Sequence, residues 1–285
     1  MNIKKCSVTE FLNETKVMIN NESPYVWVYR GIDIKYPCNT SFSFHINQLV
    51  GNPPDLKKIK VLTEHLGRWH SNLIKELYKY ISKENLDKTV WQYVQHVANR
   101  TNLLDVTISP EIAMAFGSNF YKKNTFKVIA FKVFPEMNDN KQSEGKEGFL
   151  VSLYDPQNHV FEVPPKIDSP WTEINKRIKQ QHAAFLYCNK HYDLGNVFDI
   201  DENLKSDNMF DFVKYYEKKI RDDYPALEDK KDLVRVFHIE AATGWGSFRY
   251  EKDELLPKVE EVINLSVKEI VENAFKELKR LIEKN

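Results

Sequence analysis

At 285 residues, with 42% hydrophobic and 13% aromatic content, the chain can bury a large core without disulfide or metal staples. Its 41 basic residues balance 41 acidic ones, so no net field draws it to nucleic acid or to an acidic surface, although a local patch remains compatible with that zero. The three cysteines, Cys6, Cys38 and Cys188, are widely spaced without a CxxC, which fits a reducing compartment.

The opening MNIKKCSVTEFLNETKV lacks a long apolar stretch, and nothing later approaches ~20 continuous apolar residues. The expectation is therefore no signal peptide, no membrane span and a cytoplasmic location. Residues 1–24 read as a lead-in helix. YVWVYRG, residues 25–31, bunches β-branched and aromatic residues before a glycine, predicting a strand that ends in a turn with Arg30 at its end. Leu62, Leu66, Trp69, Leu73, Leu77 and Tyr80 recur at three- and four-residue steps, predicting an amphipathic helix up to Ile81. Val90, Trp91, Val94 and Ala98 continue with a second helical face that carries Gln95 and His96.

The segment from Thr101 to Ser109 reads as a polar turn, whose leucine pair Leu103-Leu104 anchors it inward and fixes Asp105 in place. Ser109-Pro110-Glu111 is a compact helix start: a capping serine, a proline at the first helical position and an acid beside the positive helix end. Ile112, Ala113 and Phe116 form the buried face of that helix. FKVIAFKVF, GFLVSLY and AAFLYC read as strands, and NDNKQSEGKEG as a solvated loop between the first two. From Gly195 onward the texture predicts charged helices, in DNMFDFVKYYEKKI, in EDKKDLVRVFHIEAATGWG, and in a last run with an apolar stripe through Val267, Val271, Phe275, Leu278 and Ile282. With no repeat and no long linker, the fold class is α+β: a single domain with a mixed or antiparallel sheet flanked by helices and a helical C-terminal part.

Several chemistries lack their usual signals. There is no GxxxxGK[ST], no GxSxG, no HExxH and no Cys/His cluster at metal-ligand spacing, so no metal is expected. Polar residues in apolar company remain. Arg30 follows Val26, Trp27, Val28 and Tyr29, so its planar fork can either close an ion pair at the sheet edge or grip a phosphate at two points. Gln95 and His96 can equally form a satisfied core network or reach a ligand. Trp245 in TGWGSF reads as core filling.

Taken together, YRG at 29–31, QH at 95–96, the T-x-LLD-x-T-x-SP-x-x-A-x-x-F pattern from Thr101 to Phe116, RIxxQxAxF from Arg177 to Phe185 and DELLPKVEEV at 253–262 resemble the FRG domain, a bacterial and phage family named for its Phe/Tyr-Arg-Gly motif. The resemblance implies an FRG-like domain over 25–265, followed by an amphipathic helix over 266–285. It departs where the family reads QHYG and TRLLDWT: here stand Gln95-His96-Val97-Ala98 and Thr101-Asn102-Leu103-Leu104-Asp105-Val106-Thr107. Ala183 stands where the family has glycine.

The order of parts is also similar to the arginine, Ser-Thr-Ser and glutamate layout of ADP-ribosyltransferases. That similarity implies catalytic roles for Arg30, Asp105, Thr107 and Gln181, and a nucleotide-binding set of Tyr29, Arg30, Gly31, Gln95, His96 and Thr101. It also implies NAD as a substrate, consumed by cleavage or by ADP-ribose transfer in a toxin or phage-defence setting, with a protein acceptor or antitoxin as partner. Neutral Gln181 stands where the glutamate would be, leaving Asp105 to supply negative charge. Two other readings stay open: a non-catalytic nucleotide sensor, and a nucleic-acid or protein interaction module. The nucleic-acid reading ranks last, because KYYEKKIR and FKELKRLIEK alternate Lys with Glu as solvated helices do.

Overall fold

The computed structural model describes residues 3–19, 25–51, 55–77, 95, 103–134, 149–153, 180–188, 212–223, 231–246, 250–256 and 261–284. Its strands are β1 (Ile3–Ser7), β2 (Val26–Ile32), β3 (Leu104–Thr107), β4 (Thr125–Val133), β5 (Phe149–Leu153), β6 (Ala183–Cys188) and β7 (Val234–Glu240). Its helices are α1 (Val8–Ile19), α2 (Ser41–Val50), α3 (Leu56–Leu77), α4 (Pro110–Gly117), α5 (Phe212–Asp223), the short α6 (Lys252–Leu255) and α7 (Glu261–Lys284). The strands form one seven-stranded mixed sheet in the order β1-β7-β4-β2-β3-β6-β5, so the α+β reading holds. Among its pairs only β1 with β7 is parallel.

Side-chain alternation divides the sheet into two buried faces. Trp27, Tyr29, Phe126, Val128, Ala130, Phe237 and Ile239 point to one face, where Phe11 and Met18 of α1 and Ala113 and Met114 of α4 cover them. Val28, Ile129, Phe131, Val133, Val234 and Val236 point to the other, under Phe212, Val213, Tyr216 and Ile220 of α5. Tyr216 fixes α5 by donating its hydroxyl to the Lys132 carbonyl at 2.6 Å. Trp245 fills the first face as expected, stacked on Phe126 with ring centroids 5.3 Å apart. A separate helical layer joins α7 to α3, where Leu62, Trp69 and Leu73 are buried with Val267, Val271, Leu278 and Ile282. Trp69 there donates its indole N–H to the Ala274 carbonyl at 2.6 Å.

Four expectations are corrected. The lead-in segment is more than a helix, because Ile3–Ser7 forms edge strand β1 before α1 begins. Ser7 and Glu10 exchange bonds in an S-x-x-E box at that junction: the Ser7 amide donates to the Glu10 carboxylate at 2.7 Å and the Glu10 amide to Ser7 Oγ at 3.3 Å. The run 228–246, read as a charged helix, contains β7. The lysines and aspartates ahead of it suggested a solvated helix, but Val234 and Val236 on one face with Phe237 and Ile239 on the other suit a strand buried on both sides. The polar turn of 101–109 is strand β3 over Leu104–Thr107, with Leu104 and Val106 on the core side. The C-terminal helix also starts at Glu261, ahead of the expected residue 266.

Candidate functional site

The site forms where the sheet parts. β2 and β4 pair over seven residues from Val26 to Ile32, but β2 and β3 share a single pair, Tyr29 opposite Thr107. Beyond it the two strands separate, and a cavity of about 880 Å³ lies against them. Its walls include residues of the 33–40 loop, α2 and α4. Tyr29, Arg30, Gly31, Gln95, Asp105, Thr107 and Gln181 all line it, so the residues singled out by polarity converge on one cleft. His96 and Thr101 lie outside the described residues.

The YRG motif divides its work by alternation. Tyr29 is wholly buried between the sheet and α1, edge-on to Phe11 with centroids 6.5 Å apart. Its hydroxyl has no hydrogen-bond partner among the described residues, and burial pushes its pKa up. Gly31 lets α4 lie directly on the strand: a Cβ there would sit 1.6 Å from the Ala113 carbonyl oxygen. Arg30, between them, is the polar member. Its Nη1 donates to the Asp105 main-chain carbonyl at 2.6 Å and stands 3.8 Å from Asp105 Oδ2. This guanidinium therefore spans the gap between β2 and β3. Its buried Nε has no partner among the described residues.

Asp105 is oriented from two sides. Gln95, itself buried, donates its side-chain amide to Asp105 Oδ2 at 2.7 Å and accepts the Ser41 hydroxyl on Oε1 at 3.1 Å. A chain of contacts thus runs from the start of α2 through Gln95 and the Asp105 carboxylate to Arg30. The Asp105 side chain keeps 44% of its surface exposed, so a held carboxylate faces the cavity. Asp33, also on the wall, is ion-paired with Lys123, and that contact, with the Lys35 amide at 3.1 Å, holds its carboxyl below the usual range.

Thr107 and Gln181 stand in the cleft, where the Thr107 hydroxyl and the Gln181 side-chain nitrogen are engaged by the protein. The Thr107 hydroxyl donates to the Gln181 carbonyl at 2.8 Å and accepts the Ser109 amide at 3.1 Å, clipping β3 to the approach of β6. The Gln181 side-chain amide donates to the Leu255 carbonyl at 2.5 Å, tying α6 to the cavity floor. Ser109 caps α4 as expected, its Oγ accepting the Ile112 amide at 3.2 Å. Leu103 and Leu104 are 2% and 0% exposed, so the leucine pair does anchor the segment inward. Sequence reasoning missed Ser41, Tyr36 and Phe44, which carried no signal beyond an ordinary loop and helix start. No group of His, Cys, Asp or Glu among the described residues could hold a metal ion.

The model of the FRG domain matches residues 25–125, which contain Arg30, Gly31, Gln95, Asp105, Thr107 and all of α4. Gln181 and α6 lie beyond that match. No curated protein and no solved structure matched the chain.

Proposed function

We propose that the cleft built largely from residues 25–125, which the FRG domain model matches, binds a nucleotide such as NAD. The observation that carries this reading is a guanidinium and a held carboxylate, 3.8 Å apart, on the wall of one cavity of about 880 Å³. That volume falls in the upper part of the ~300–1,000 Å³ range that small-molecule sites occupy. Among the described residues no acceptor meets the buried Nε of Arg30, and buried polar groups ordinarily have one. A phosphate supplies acceptor oxygens in the arrangement a guanidinium fork can grip.

Asp105 gives the site its chemistry. When the bond between the nicotinamide nitrogen and the ribose breaks, nicotinamide leaves with the bonding pair, which neutralises its ring, and positive charge develops on the ribose. A carboxylate fixed in advance stabilises that charge without reorganising. Gln95 and Arg30 are what fix it here. Water or an acceptor nucleophile then attacks the ribose carbon, giving cleavage or ADP-ribose transfer, as expected of a toxin or defence enzyme. A glutamate's role does not pass to Gln181, whose amide serves the Leu255 carbonyl. That engagement also favours a second reading, a nucleotide sensor that binds without turnover.

Calorimetric titration of NAD and ADP-ribose, with nicotinamide release followed by chromatography, tests both readings. Arg30→Lys keeps the charge but loses the two-point grip, so affinity should fall ten- to a hundredfold, the equivalent of about 1.5–3 kcal/mol. Equal affinity in parent and variant would remove Arg30 from the phosphates. Binding without nicotinamide release would select the sensor.

A further inference from the structure

We infer that Tyr36 and Phe44 form a stacking subsite for the planar base of the ligand, at the mouth of the cavity that Arg30 and Asp105 line; this rests on the nucleotide reading and names the part of the ligand that reading leaves unplaced. Both side chains line the cavity. Of the large hydrophobic side chains left exposed among the described residues, Tyr36 at 49% and Phe44 at 39% are the aromatic ones. The others, such as Val17, Ile19 and Leu56, are aliphatic and do not line it. Scattered aliphatic exposure is ordinary on a protein surface, whereas two exposed rings lining one cavity mark a place where something flat binds.

The rings stand on a fixed frame. The Tyr36 amide donates to the Asp33 carbonyl at 3.1 Å, the Lys35 amide to Asp33 Oδ1 at 3.1 Å, and Asp33 is ion-paired with Lys123 after α4. The turn carrying Tyr36 is thereby pinned to the segment between α4 and β4. Lys35 Nζ lies 4.9 Å from the Tyr36 ring centroid, occupying one face, and the ring remains half exposed. The Phe44 backbone in the first turn of α2 is held by the hydrogen bond its amide N–H donates to the Thr40 carbonyl at 3.0 Å, and its ring meets His45 edge-on at 5.4 Å. Preorganised rings lose little freedom on binding, so stacking is expressed as affinity. The ligand would then lie with its phosphates and ribose at Arg30 and Asp105 and its base between the rings at the mouth.

The test compares ADP-ribose, which has a base, with ribose 5-phosphate, which has none, by calorimetric titration into the parent, Tyr36→Ala, Phe44→Ala and Tyr36→Phe. Expected is tighter binding of ADP-ribose by the parent. At least one alanine variant should lose ADP-ribose affinity roughly five- to a hundredfold, with ribose 5-phosphate affinity unchanged and Tyr36→Phe close to the parent. The subsite is overturned if the parent binds both probes equally, if both alanine variants keep full ADP-ribose affinity, or if both probes weaken together. The parent comparison needs no variant to fold. A parent that binds neither probe overturns the nucleotide reading itself, a result distinct from equal binding of the two.

Discussion

Gly31→Ala is the sharpest test of why the motif ends in glycine. The added Cβ would sit 1.6 Å from the Ala113 carbonyl oxygen and 2.7 Å from the Gly117 nitrogen. Both are backbone atoms of α4, so no rotamer change relieves the clash. Carbon and oxygen in weak contact stand about 3.3 Å apart, so the helix must withdraw by on the order of 1.5 Å. Overpacking of this kind costs about 1–3 kcal/mol, and an obstacle of backbone places the cost at the upper end. At roughly 2–4 °C per kcal/mol for a large domain, the melting temperature should drop about 6–12 °C. Gly117→Ala is the internal control, since its nearest neighbour is a movable Phe126 ring carbon at 2.9 Å and its nearest backbone atoms stand at 3.2 Å. It should cost less. Gly244, with φ +76° and nothing within 4 Å, should cost about 1–2 kcal/mol as alanine for conformational reasons alone. A Gly31→Ala protein that melts with the parent, or above Gly117→Ala, would refute close helix approach as the reason for the glycine.

Leu103→Ala and Leu104→Ala should each lower unfolding free energy by about 2–5 kcal/mol in urea titrations, because both side chains are almost wholly buried; parent-like midpoints would mean the segment tolerates the cavities. Asp105→Asn should leave melting nearly unchanged, since an amide oxygen can still accept from Gln95, while any nicotinamide release falls about 10²–10³-fold; undiminished release would move the chemistry to another group. Burial pushes the Cys6 thiol up to about 11, so the folded state keeps its proton where the unfolded chain loses it. The associated stability is full below the ordinary thiol pKa and declines as pH rises towards about 11. Cys6→Ala should flatten that decline in urea titrations across alkaline pH, and an unchanged slope would show that Cys6 does not titrate late.

Strands were legible where alternation was backed by β-branched residues and helices where three- and four-residue steps were sustained, as in β4 and α3. β7 was misread because its charges precede it: lysines and aspartates at 228–232 coloured the whole run, while the strand itself begins only at Val234. β3 was misread for the opposite reason. Four residues, two of them polar, do not announce a strand, and Asp105 and Thr107 invite a turn through their local bonding habits. Tertiary pairing with β6 over all four residues overrode that tendency. Strand β1 was missed because Lys4 and Lys5 look like a solvated start, yet charges suit an edge strand.

The site shows a further limit of reading residue types. Polarity in apolar surroundings correctly grouped Arg30, Gln95, Asp105, Thr107 and Gln181, because a core that admits polar groups must bring them to one another or to a ligand. It could not say which outcome each would meet. The Thr107 hydroxyl and the Gln181 side-chain nitrogen each donate to a main-chain carbonyl seventy-four residues distant in sequence, a pairing that no local pattern encodes. Arg30 and Asp105 have capacity to spare among the described residues: one has a buried nitrogen that none of them accepts from, the other a carboxylate still partly open to the cavity. Unspent hydrogen-bonding capacity, more than residue identity, is what separates a binding group from a brace, and it is the reason the proposed nucleotide is placed at Arg30 and Asp105.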